Sequence, residues 1–69
     1  MPYVNIKVTG DEEAPSVEQK KALIAGVTDL LVKVLGKNPS SLVVVIDEVS
    51  MDNYGIAGQT VRERRKQKH

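Results

Sequence analysis

Met1-Pro2-Tyr3-Val4-Asn5-Ile6-Lys7-Val8 opens the chain. Pro2, Val4, Ile6 and Val8 fall on one side of an extended backbone, and Tyr3, Asn5, Lys7 and Thr9 on the other. A period of two predicts a strand over residues 2–9 with one apolar face. Pro2 follows Met1 directly, and an initiator methionine before a small residue is commonly trimmed. The new terminus would then be the secondary amine of the Pro2 ring. An α-amino group ordinarily titrates near ~8. Burial or a neighbouring cation lowers that value by disfavouring the charged form. A sheltered proline nitrogen is therefore a candidate general base near neutral pH.

Gly10 ends the strand, and Asp11-Glu12-Glu13-Ala14-Pro15 reads as an acidic, solvated connection. Ser16-x-x-Gln19 is a capping-box signature with Ser16 as N-cap. Ala22, Leu23, Ile24, Val27, Leu30, Leu31, Val34 and Leu35 then recur at spacings of three and four, one apolar stripe of a helix, with Lys20, Lys21 and Lys33 off it. Gly36 fits the C′ position and Pro39 blocks continuation. Leu42-Val43-Val44-Val45-Ile46 is short, continuous and β-branched, the pattern of a strand buried on both faces, with Asp47-Glu48 closing it. Strand, helix and strand in one sheet imply a parallel pair with a right-handed crossover. Two strands and one helix leave a sheet face bare, so a second subunit is expected to extend the sheet to four strands, with dimers stacked to cover the rest. Asp52, Asn53, Gly55 and Gly58 predict a loop followed by a small hairpin. Residues 62–69 carry five Lys/Arg and one Glu, a basic tail expected to be mobile or ordered only against a neighbouring subunit.

Composition narrows the chemistry. A chain of 69 residues forms a single domain, residues 1–69, and its core is marginal without oligomerisation. There is no cysteine, so disulfides and thiolate metal sites are excluded, and the single histidine, His69 at the chain end, argues against multi-histidine metal sites and Ser-His-Asp chemistry. Net charge is +1, which implies no strong pull toward nucleic acid or an anionic membrane. No apolar run is long enough to span a bilayer and no signal-peptide pattern precedes the first strand, so the cytoplasm is the expected location. Gly55-Ile56-Ala57-Gly58 has the wrong spacing for a phosphate loop. Asp11, Glu12 and Glu13 read as solvated carboxylates rather than metal ligands. The basic tail has no aromatic residue on which a base would stack, which argues against nucleic acid.

Pro2 after Met1, a β-α-β chain of this length, Glu18-Gln19-Lys20 at the helix start, and Asp47-Glu48 followed by Asn53-Tyr54-Gly55-Ile56-Ala57-Gly58 together resemble the 4-oxalocrotonate tautomerase family. The resemblance runs from Pro2 to about Val61 and implies an α+β fold: a β-α-β tautomerase-like unit with a C-terminal β-hairpin. It also implies a cofactor-independent keto-enol isomerase acting on 2-hydroxymuconate or 2-oxo-acid type substrates, without metal. Pro2 matches the catalytic base, and Tyr54 and Ile56 match the apolar wall that shelters it. The implied assembly is a homohexamer, a trimer of dimers. Two arginines that bind substrate carboxylates in the family have no counterpart, because the matched positions fall in the acidic Gly10–Ser16 loop and at Val43. Each missing charge-assisted bond is worth ~1.5–3 kcal/mol. Lys7, Lys37 and Arg62–Arg65 are the candidate replacements. A non-enzymatic oligomeric binding protein of the same fold is the alternative reading.

Overall fold

β1 (Tyr3–Thr9) and β2 (Val43–Val49) run parallel in a computed structural model that describes residues 2–67. They pair residue for residue from Tyr3–Val43 to Thr9–Val49. The alternation read from the sequence holds through Val8: Val4, Ile6 and Val8 are half-buried while Tyr3, Asn5 and Lys7 are exposed; Thr9, grouped with the latter, is half-buried, its hydroxyl donating to Glu13. β2 is longer than expected, since Asp47, Glu48 and Val49 continue the strand rather than closing it. Its charges are accommodated because each meets a lysine. Lys7 reaches its register partner Asp47 on the outer face at 2.6 Å, and Lys20 meets Glu48 on the helix side.

α1 (Val17–Leu35) makes the crossover. Its capping box is complete: Ser16 Oγ accepts the Gln19 N–H at 3.1 Å, and Gln19 Oε1 accepts the Ser16 N–H at 2.9 Å. Gly36 ends it in the left-handed region, φ 65°, with its N–H donating to the Val32 carbonyl. The apolar stripe does not all face the sheet. Val27 and Leu31 are half-buried, whereas Leu23, Ile24, Leu30, Val34 and Leu35 are exposed, Val34 at 70%. Lys20, expected off the stripe, lies within it. It sits seven residues before Val27 and so shares its face, where Glu48 offers a partner.

β2 is not buried on both faces within the protomer, because α1 covers one side only. Val45 is 38% exposed on the other, opposite Asn5 and on the same face as Tyr3, which is 63% exposed. Met51 and Val61 are the two buried hydrophobic residues among the described residues. The radius of gyration is 15.2 Å, against about 11 Å for a compact domain of this length. The protomer is drawn out and leaves much apolar surface open.

β3 (Gly55–Ile56) and β4 (Gln59–Thr60) form the expected hairpin. Ala57 and Gly58 at its tip have φ of 54° and 83°, the two positive values of a type I′ turn, whose twist suits a two-residue loop. The basic tail is corrected by the structure: α2 (Val61–Gln67) is helical within the protomer. Lys68 and His69, also assigned to that tail, lie outside the described residues. The acidic connection is also more than a solvated loop. Asp11–Glu13 is a 3-10 turn whose carboxylates bind α2: Asp11 and Glu12 pair with Arg62, and Glu13 with Arg65.

Candidate active site

Pro2 stands immediately before β1, half-buried, and its carbonyl accepts the Val43 N–H at 3.2 Å. Proline lacks an N–H, so it suits the first position of a strand, where the ladder asks nothing of its nitrogen. The sheet thus grips this residue through the carbonyl alone. Met1 lies outside the described residues.

Tyr54 and Ile56 are brought together on the hairpin. Tyr54 is half-buried, and its carbonyl accepts the Val61 N–H at 2.7 Å; Ile56 is 44% exposed. The hairpin base, however, is at the far end of the strand pair from Pro2. Gly10, just past β1, donates its N–H to Val49 at 2.7 Å, and the chain enters the hairpin loop there. The seven residues of β1 place about 20 Å between the two ends at the usual rise of a strand. One protomer therefore keeps Pro2 apart from the base of the hairpin that carries Tyr54 and Ile56.

The candidate cations divide sharply. Lys7 is paired with Asp47, whose hydrogen bond and charge raise the lysine pKa. Arg62 is surrounded by Asp11, Glu12 and Asp52, and its pKa is raised, first by the Asp52 hydrogen bond. Arg65 is held by Glu13. Among the described residues, Lys37 and Arg64 have no ion-pair partner. Asp11 is lowered below the ordinary carboxylate range by the Met51 N–H, then by the Ser50 hydroxyl. Glu13 is lowered by Arg65 and then by Thr9. Sequence reasoning missed this network. Its signal was an acidic run followed, late in the chain, by arginines three apart, a spacing that puts both on one side of a helix.

No group of three or more His, Asp or Glu side chains is placed to hold a metal ion among the described residues. An open depression of about 440 Å³ is lined by Pro15, Gln19, Ala22 and Leu23. It contains no group able to move a proton, and it includes none of Pro2, Tyr54 and Ile56.

A parallel β-α-β unit with a proline before its first strand and a tyrosine-led hairpin after its second makes a small α+β fold. The family model described as "Tautomerase enzyme" matches residues 2–64, and the chain belongs to that family. It is 61% identical over 67 residues to a probable tautomerase, K2, of Dickeya dadantii, covering 97% of each chain. It resembles the crystal structure of DmpI from Helicobacter pylori at 51% identity and a TM-score of 0.87, over 99% of this chain and 100% of that one. It also resembles a structure from a study of the 4-oxalocrotonate tautomerase isozymes of Methylibium petroleiphilum at 27% identity and a TM-score of 0.88, over 97% and 100% of the two chains. The protein is a tautomerase, an isomerase of the 4-oxalocrotonate tautomerase type, and the non-enzymatic reading falls away.

Proposed function

We propose that Pro2, freed of Met1, is the general base of a cofactor-independent keto-enol isomerisation of 2-hydroxymuconate or 2-oxo-acid type substrates. The observation that carries this is the Val43 N–H bond to the Pro2 carbonyl, which fixes the residue without occupying its nitrogen. The neutral amine removes the proton of the enol hydroxyl as the dienolate forms. The resulting ammonium returns a proton to carbon, so the base is regenerated and no redox partner is needed. An apolar enclosure keeps the amine neutral, because burial disfavours its charged form.

That enclosure is assembled between subunits. In this reading Tyr54 and Ile56 from the hairpin of one copy close over Pro2 of another, and the Tyr54 hydroxyl donates to the developing enolate oxygen. The exposed apolar residues of α1 and of the outer sheet face, with the extended shape of the protomer, support such an oligomer. A homohexamer built as a trimer of dimers is the form we assign, with each dimer joining two strand pairs into a four-stranded sheet. No helix among the described residues is long and apolar enough to cross a membrane. We retain the cytoplasm as the site of action.

The test is covalent. An electrophilic 2-oxo-acid analogue should modify the mature protein once, at the Pro2 nitrogen, and abolish activity; peptide mass spectrometry locates the adduct. Modification elsewhere with full inactivation, or full activity in a variant that retains Met1, would rule the base out.

A further inference from the structure

β3 and β4 contribute two residues each, and a two-stranded hairpin of that size is not stable by itself. Its placement comes from its two flanks, which are joined by backbone bonds from Val61 to Tyr54 and from Arg62 to Met51 and by one side-chain atom that touches both. Asp11 Oδ2 accepts from Ser50 Oγ at 3.1 Å and from the Met51 N–H at 2.9 Å, on the chain entering the hairpin. The same oxygen accepts from Arg62 Nη2 at 2.8 Å, on the chain leaving it. Arg62 is oriented in turn by Asp52 Oδ1, 2.7 Å from Nε, and by Glu12 Oε1, 3.5 Å from Nη1. Beneath this point the Met51 carbonyl accepts the Arg62 N–H at 3.3 Å, and the side chains of Met51 and Val61 are buried.

An exposed ion pair alone would contribute little. Here the carboxylate also satisfies the amide of the buried Met51 and closes a loop from residue 51 to residue 62. Asp11 does so from φ 55°. The left-handed region is unfavourable for a residue with a side chain, and it persists where surrounding contacts fix it.

We propose that Asp11 is a positioning residue of this enzyme: its carboxylate joins the two flanks of the hairpin and thereby sets where Tyr54 and Ile56 stand in the site. This rests on the reading that the hairpin walls the pocket around Pro2. The acidic turn, where the family resemblance would have an arginine for substrate, has in this chain a structural task that acts through Arg62.

The experiment compares Asp11→Ala and Asp11→Asn in the parent and in a Tyr54→Ala/Ile56→Ala background. In the parent, Asp11→Ala should lower kcat/KM about tenfold, the loss of one charge-assisted bond. It should also move the acid limb of the pH–rate profile upward, because a looser wall lets water reach the amine. Asp11→Asn keeps an acceptor for the Met51 amide and should recover part of the loss. In the background lacking both wall side chains, Asp11→Ala should have no further effect, since residues acting through one element are not additive. An equal loss in both backgrounds, or parental kinetics with an unmoved limb, overturns the proposal while leaving Pro2 as base. Hydrogen exchange reads the same device without activity: Asp11→Ala should speed exchange of the amides between residues 54 and 62, with β1 and β2 unchanged. Unchanged exchange there overturns it even if Pro2→Ala proves active and the catalytic reading falls.

Discussion

The Val43 N–H donates to the Pro2 carbonyl at 3.2 Å, so the ladder of the parallel sheet begins at the residue assigned as base. Val43→Pro removes that donor at the first residue of β2, where proline is tolerated. Loss of one backbone hydrogen bond should lower stability by about 1 kcal/mol. Activity should fall further, by roughly ten- to a hundredfold, because a small misplacement of a reacting group is costly. Melting temperature and kcat/KM measured together check this. A loss in melting temperature with unchanged kcat/KM counts against the anchoring role.

The acidic turn is expected to make the hairpin and α2 the acid-sensitive end of the protein. Asp11 and Glu13 are lowered from ordinary values of 3.8 and 4.5 by bonds from Met51 and Ser50, and from Arg65 and Thr9. The unfolded chain therefore binds protons before the folded one does. The stability these carboxylates contribute is complete above the ordinary range and is lost as pH falls through their lower folded values. Protection of the hairpin and α2 amides should hold from neutral pH down to about 5 and decline below about 4. α1, whose cap is the neutral Ser16–Gln19 pair, should outlast them. Simultaneous loss of α1 and α2 on acid titration would show that the clamp is not the weak point.

Ala57 occupies the first position of the type I′ turn at φ 54°. An L-residue there costs about 1–2 kcal/mol, which asparagine reduces because it tolerates the left-handed region. Ala57→Asn should raise stability by roughly 1 kcal/mol, or several degrees in melting temperature for a chain this short. An unchanged or lower melting point would mean that this conformation is relieved on assembly.

Val45, on the open side of the sheet opposite Asn5, is the position that best separates assembly from folding. Val45→Lys puts a charge where a second copy is expected to pack and leaves the α1 side untouched. Sedimentation should show smaller species, and activity should fall with them, since no protomer joins Pro2 to a hairpin by itself. A Val45→Lys protein that is fully assembled and active would place the interface elsewhere.

Much of this molecule is legible in its sequence, and the parts that are not share a cause. Ser16, Gln19, Gly36 and the alternation from Pro2 to Val8 act through neighbours in the chain, and each was found where local rules put it. Asp47 and Glu48 look like a strand end because charges usually stop a buried strand. They continue it here because Lys7 and Lys20, forty and twenty-eight residues away, supply partners. Arg62 and Arg65 look like a disordered tail until Asp11 and Glu13 are seen beside them. Charge pairing across the chain is invisible to periodicity. For Pro2, Tyr54 and Ile56 the residue types were legible, but their spatial relation was not: one copy of the chain holds Pro2 at the opposite end of the strand pair from the base of the hairpin.

The pH dependence of kcat/KM on the enol of a simple 2-oxo acid, set beside a direct NMR titration of the Pro2 nitrogen, tests the catalytic account most directly. With Pro2 as the base, an ascending limb is expected at or below about 8, the ordinary value of an α-amino group, coincident with the titration of that nitrogen and absent in Pro2→Ala. A limb near 4 that follows a carboxylate, or a nitrogen that titrates apart from the rate, would contradict it.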